Sequence, residues 1–235
     1  MEILKLLSTI DVPISAARIQ GELNLPRSST YHLLAEMVDA GFVAHLPEHK
    51  TYGLGLAAYS MASAYVTQQP LVRMATRDLE QCAALVGGSG HLSRMAGSEI
   101  LYLQEVRAAG ATSLVTEVGV RLQAHKTASG RVMLAHLPDA EVRAAFDTAG
   151  GSGFAALKER LSLVAARGWD QEIEEITRGQ ASVAAPILDH LDRPAAAVAV
   201  TYPVGTSDPK VDAAIRALLE VSDKVAAKMY RNRKK

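Results

Sequence analysis

A chain of 235 residues, 49% of them hydrophobic, has enough length and apolar content for two modest cores, and a formal net charge of zero excludes a uniformly basic nucleic-acid coat. The single cysteine, Cys82, excludes an internal disulfide framework. There is no secretory leader pattern and no apolar run of the ~20 residues that span a bilayer, so a cytoplasmic protein with no membrane partner is expected. From Met1 to Ile10 the apolar positions Ile3, Leu6, Leu7 and Ile10 predict a scaffold helix. Ser15 is placed to cap a short helix running to Leu23, with Ile19 and Leu23 four apart on one face. Asn24 suits the left-handed residue that ends a helix, and Pro26 suits the first turn of the next. From Arg27 to Ala40 the spacing turns Thr30, Leu33, Leu34, Met37 and Val38 inward and Ser28, Tyr31, His32 and Ala35 outward. Gly41 closes that helix. Phe42 to Leu46 and Thr51 to Leu54 then read as strands about a Pro47-initiated turn, giving a winged helix-turn-helix.

Leu56 to Gln69, ending before Pro70, is predicted as a connecting helix, and Leu71 to Val86 as an amphipathic helix with Leu71, Ala75, Leu79, Cys82 and Leu85 inward. Strands are expected at His91–Met95 and Glu99–Val106, with a third over residues 112–118 built on Leu114 and Val115. A helix from Arg131 to Leu137 and two more at Asp139–Phe146 and Phe154–Arg167 make a helical middle. Strands return at Trp169–Ile176, Ala181–Leu188 and Ala195–Tyr202, and a helix from Pro209 to Tyr230 leads into the basic tail 231–235. The class is a mostly helical N-terminal winged helix-turn-helix with a β-hairpin wing, joined by a helix to an α+β domain. The boundaries are 1–55, 56–70 and 71–235.

The outer face of the second helix is small and polar at its start, as close approach to base edges in a major groove requires. Arg27, Ser28, Ser29, Tyr31 and His32 are therefore the expected contacts to double-stranded operator DNA, with His49 and Lys50 on the wing. Residues 1 to 66 carry four basic against six acidic side chains, a net of −2, so one copy should neutralise few phosphates. Two heads are required for a tight site, and a homodimer or homotetramer is expected. Basic residues flanking the first helix are expected to lie ahead of Met1.

Thr127-Ala128-Ser129-Gly130 precedes the Arg131 helix, where backbone donors and the dipole can hold a carboxylate; a plain cap is the simpler use of the same residues. His91, His125 and Asp170 match no compact metal-ligand spacing, and no metal or cofactor is expected. Ser129, His125 and Asp170 have the residue types of a hydrolase triad but no G-x-S-x-G turn. An enzyme using the C-terminal domain, with the helix-turn-helix as an interaction module, is the alternative to a non-enzymatic regulator.

LNLPRSSTYHLLAEMVDAGFV followed by YGLGLAAYSMA resembles the DNA-binding half of the IclR-type transcription regulators, and HKTASGRVMLAHLP with GQASVAAPILDHLDRPAAAVAVTYP resembles their effector-binding half. The resemblance spans nearly the whole chain. It implies a GAF-like fold for residues 71–235, part of the dimer contact on the connecting helix, and a ligand-responsive regulator sensing a small organic acid, carboxylic or aromatic. It also implies an effector site at Thr127, Ala128, Ser129 and Gly130 together with Asp170, Ser182 and Thr201. The sequence departs from the family pattern at Gln123, where a proline is usual, and at Lys126, where a small residue is usual. Lys126 and Tyr102 are read first as surface and core positions.

Overall fold

The computed structural model describes residues 1–68, 70–112, 114 and 116–231. The chain divides into two compact units, Met1–Gln68 and Gln69–Lys235.

In the first unit α1 (Glu2–Leu7), α2 (Ala16–Leu23) and α3 (Arg27–Asp39) surround a core of Ile3, Leu7, Ile14, Ala16, Ile19, Leu34 and Val43. Each fully buried Leu or Ile in such a core contributes roughly 1.5–3 kcal/mol. Ser15 caps α2 by accepting from the Arg18 amide at 3.2 Å, and Asn24 ends it in the left-handed region at φ 49°. Pro26 stands just ahead of α3 as its cap residue. At the other end of α3, Gly41 adopts φ 73°, so that its own amide reaches Val38 O and that of Phe42 reaches Met37 O. These two bonds close the helix as a Schellman motif. The inward stripe of α3 is Thr30 and Leu34, both fully buried, flanked by half-buried Met37 and Val38. Leu33 is 39% exposed, contrary to expectation, because it lies one position, about 100°, away from Leu34 around the helix. The wing gains a strand that periodicity does not reveal: β1 (Ile14–Ser15) pairs with β3 (Thr51–Leu54), which also pairs with β2 (Val43–Leu46), giving the order β1-β3-β2. Helix α4 (Leu56–Gln68) follows with Leu56, Tyr59, Met61 and Tyr65 exposed.

The second unit is an α+β fold on a six-stranded antiparallel sheet, ordered β6-β5-β4-β9-β8-β7. Its strands are β4 (Ser89–Ala96), β5 (Glu99–Arg107), β6 (Arg121–Gln123), β7 (Asp170–Ile173), β8 (Gln180–Leu188) and β9 (Pro194–Pro203). Helices α5 (Pro70–Val86) and α9 (Asp208–Ala226) pack on one face. On the other, α6 (Ala128–Leu134) lies over β8 and β9, supported by α7 (Asp139–Thr148) and α8 (Phe154–Arg167).

Alternation along the strands assigns the faces: Ala184, Ala197 and Ala199 point to α6, and their small size lets that helix settle close to the sheet. Three expectations are corrected here. Leu85 is 42% exposed; Leu71, Ala75, Leu79 and Cys82 are buried as expected, and Val72, Ala83 and Val86 rather than Leu85 complete the stripe of α5. Of the strand expected over 112–118, Ser113 and Val115 lie outside the described residues and the described ones join no sheet; the edge strand is β6. Helix α6 starts at Ala128 rather than Arg131, because Thr127 caps it by accepting from the Gly130 amide at 2.9 Å.

Candidate functional site

Strand register sets four polar side chains in a row across the α6-facing side of the sheet: Glu172 beside Ser182, Ser182 beside Thr201, and Thr201 beside Ser89. The Ser182 hydroxyl bonds to Glu172 Oε1 at 2.8 Å and to Thr201 Oγ1 at 2.8 Å. One level along, His91 stands beside Ala199, and a register shift between Leu92 and Ser93 brings Tyr102 of β5 to the same face. The two rings meet edge to face with centroids 5.4 Å apart. The first turn of α6 closes over this surface, and a cavity results between Thr127, Ala128 and Ser129 on one side and Glu172, Ser182, Thr201, His91, Tyr102 and Thr116 on the other. The space open to the centre of a water-sized sphere is about 20 Å³, enough for a water.

The chemistry of the wall is polar without being cationic. Among the described residues neither ring nitrogen of buried His91 has a partner, nor has Thr116 Oγ1. Burial pushes the His91 imidazole down to about 4, against the opposing pull of Glu105, so it is neutral near pH 7 and offers one donor and one acceptor. Among the described residues Glu172 is the only ionisable carboxyl on the wall, and no Lys or Arg lines it. Burial raises its pKa above the ordinary carboxylate value, although the Ser182 hydroxyl and the Glu175 amide bond to it and pull the other way. Burial likewise raises the Tyr102 phenol, with Glu172 adding to the effect.

The structure thus brings together Thr127, Ala128, Ser129, Ser182 and Thr201, but not the other two expected residues. Gly130 lies off the wall: a Cβ there would stand 2.1 Å from Ala124 O, so glycine is needed for close packing of α6 on the preceding turn. Asp170 is also off the wall. It is fully buried behind it, accepting from Arg131 Nε and Arg167 Nη2, each at 2.5 Å. Arg131 is itself 1% exposed and bonds onward to His125 O and Glu175. Removing one partner from such a buried pair costs about 3–5 kcal/mol. Asp170 therefore anchors α6 to β7, and the carboxyl on the cavity is Glu172, two residues along the same strand face. His91 and Thr116 are the other cavity groups missing from the expected set. The hydrolase triad is not assembled, since Asp170 is held by arginines and His125 borders a different cleft from the one Ser129 lines. Among the described residues no group of three His, Cys, Asp or Glu side chains is arranged to hold a metal.

In the reading head Arg27, Ser28, Ser29, Tyr31 and His32 are all exposed on the first turns of α3, and His49 and Lys50 are exposed at the tip of the wing. The Arg27 guanidinium lies 5.8 Å from the Tyr31 ring centroid, and among the described residues no carboxylate pairs with it. His45 stacks on Tyr52 across the wing at 4.6 Å, stiffening the hairpin.

Comparison with known proteins also finds two parts in this order. Residues 1–47 match the IclR helix-turn-helix domain and residues 63–227 the bacterial transcriptional regulator IclR C-terminal domain. The glycerol operon regulatory protein of Streptomyces griseus is 30% identical over 230 residues, covering 95% of this chain and 91% of its own. The crystal structure of an IclR transcriptional regulator from Alicyclobacillus acidocaldarius superposes with a TM-score of 0.81 at 20% identity, covering 96% of this chain and 95% of that one. An IclR homologue from Microbacterium hydrocarbonoxydans, crystallised with 4-hydroxybenzoate, superposes with a TM-score of 0.77 at 20% identity and 97% coverage of both chains. Among the described residues no helix is long and apolar enough to cross a membrane. The chain belongs to the IclR family of bacterial transcriptional regulators, with a helix-turn-helix domain for DNA and a C-terminal effector-binding domain.

Proposed function

We propose that the protein is a homodimeric or homotetrameric regulator whose affinity for its operator is set by a small organic acid held in the cavity under α6. Arg27, Ser28, Ser29, Tyr31 and His32 contact the operator, and His49 and Lys50 steady the wing on the backbone. Exposed Leu56, Tyr59, Met61 and Tyr65 of α4 offer apolar contacts to a second copy. The observation that carries the effector reading is the cavity itself, where unpartnered His91 and Thr116 face the hydroxyls of Ser129, Ser182 and Thr201. Buried polar atoms without partners are uncommon in folded proteins and favour a ligand that supplies the missing bonds. The related 4-hydroxybenzoate complex supports an aromatic acid as one candidate. With Glu172 on the wall and no Lys or Arg among the described residues that line it, the acid binds with one proton held between its carboxyl and that of Glu172. An aromatic acid outgrows the space present, so its entry displaces the wall segment between β7 and β8, where Ile176 and Thr177 line the cavity.

Thermal unfolding of the full chain with benzoate and 4-hydroxybenzoate, compared with their methyl esters, tests this reading. A ligand at 100 times its dissociation constant adds about 2.7 kcal/mol to the folded state. The acids should raise the melting temperature more than the esters, and Ser129→Leu should abolish the shift. Equal stabilisation by acid and ester, or an unaltered response in the leucine variant, places the effector elsewhere.

A further inference from the structure

The turn that closes the effector cavity also borders a second cleft. His125, Lys126 and Arg131 line it together with Arg160, and its volume is about 680 Å³, within the roughly 300–1,000 Å³ common for small-molecule sites. Lys126, Arg131, Arg160 and the adjoining Arg167 are four cations set against two carboxylates, Asp170 and Glu175, so the cleft carries an excess of two positive charges. These cations do not have equal freedom. The donors of Arg131 are all used by Asp170, Glu175 and the His125 and Gln171 carbonyls, so its charge is fixed in place. Lys126 is exposed, and among the described residues no carboxylate lies within ion-pair distance of it. Arg160 is 39% exposed; its terminal nitrogens pair with Glu175 and, at 3.5 Å, with Asp170, and bond the Gln171 carbonyl, while among the described residues its Nε has no acceptor.

The facing wall is the segment from Gly150 to Gly153, with Ser152 its bulkiest side chain, so the cleft is open to a ligand there. Phe146 and Leu157 supply an apolar surface beside the cations.

We propose that this cleft binds a small organic phosphate, with Lys126 and Arg160 holding the phosphate oxygens and Phe146 and Leu157 taking the carbon skeleton. A phosphate monoester carries about −1.5 to −2 charges near pH 7, which matches the local excess better than a monocarboxylate does. Guanidinium and ammonium groups bond phosphate oxygens readily. The site is separate from the effector cavity and takes a ligand of different charge.

Calorimetric titration of the full chain with inorganic phosphate tests it, with ionic strength held constant by sodium chloride. Saturable binding is expected, weakened about tenfold or more by Lys126→Glu, reduced in the same direction by Arg160→Ala, and unchanged by Ser129→Leu. Lys126 is exposed and its replacement leaves the buried ion pairs in place; far-UV circular dichroism checks the fold of the Arg160 variant. Absence of saturable binding overturns the proposal. So does binding that both Lys126→Glu and Arg160→Ala retain, or binding lost only in Ser129→Leu, which would put the phosphate in the effector cavity.

Discussion

At the scale of single residues, Glu172 decides what charge the cavity under α6 tolerates. Its pKa in the folded chain lies above the ordinary 4.5, chiefly through burial, so the folded state holds this proton more tightly than the unfolded state. The stability it contributes is complete below about pH 4.5 and is lost as the pH rises through the raised value. Glu172→Gln cannot ionise and lacks that loss. Melting temperatures of parent and variant measured from pH 4.5 to 7.5 should therefore diverge in favour of the variant as pH rises, on top of a constant penalty for the bond from the Glu175 amide. Parallel profiles would mean that the carboxyl is not held neutral by its surroundings. The hydroxyls of Ser182 and Thr201 were legible in the sequence, but Glu172 was not. Asp170 and Glu172 alternate onto the same face of β7, and which of them meets the cavity depends on where Arg131 and Arg167 sit, a tertiary fact that strand periodicity does not contain.

At the scale of elements, the sequence declared those whose ends are fixed by local chemistry. Ser15, Asn24 and Gly41 bound α2 and α3 through their own backbone conformations, and α8 has the predicted limits between Gly153 and Gly168, both left-handed. Elements held by distant partners were less readable: β1 has two residues and exists through its pairing with β3, and β6 through its pairing with β5. The start of α6 was misplaced because Ala-Ser-Gly reads as a loop, whereas Gly130 is there to admit Ala124. Two glycine substitutions separate these causes. In Gly130→Ala the new Cβ meets Ala124 backbone atoms at 2.1 and 2.4 Å, which cannot rotate away, so urea unfolding should show a loss of about 1–3 kcal/mol. In Gly21→Ala, inside α2, nothing lies within 4 Å, and a gain of about 0.5–1 kcal/mol is expected from helix propensity. If both variants change stability in the same direction, close packing is not the reason for Gly130.

At the scale of the whole molecule, a head and a sensor are built as separate compact units, each with its own core. The family and both folds were legible because two motifs stand in order along the chain. Apolar residues in α4 are plain in the sequence, but they lie on several sides of the helix, so their spacing does not say which of them face a second copy. The head carries a net of −2 over residues 1 to 66, so on the reading proposed above its affinity for DNA would come from a few placed contacts rather than from bulk charge. The direct measurement is fluorescence anisotropy of labelled DNA from upstream of the protein's own gene, titrated with parent and Arg27→Ala at ~150 mM salt beside an unrelated fragment. Saturable binding at least ~10³-fold tighter than to the unrelated DNA is expected, weakened by about 1–3 kcal/mol in the variant. Equal binding to both fragments, or an Arg27→Ala protein that binds the upstream DNA as tightly as the parent, would contradict it.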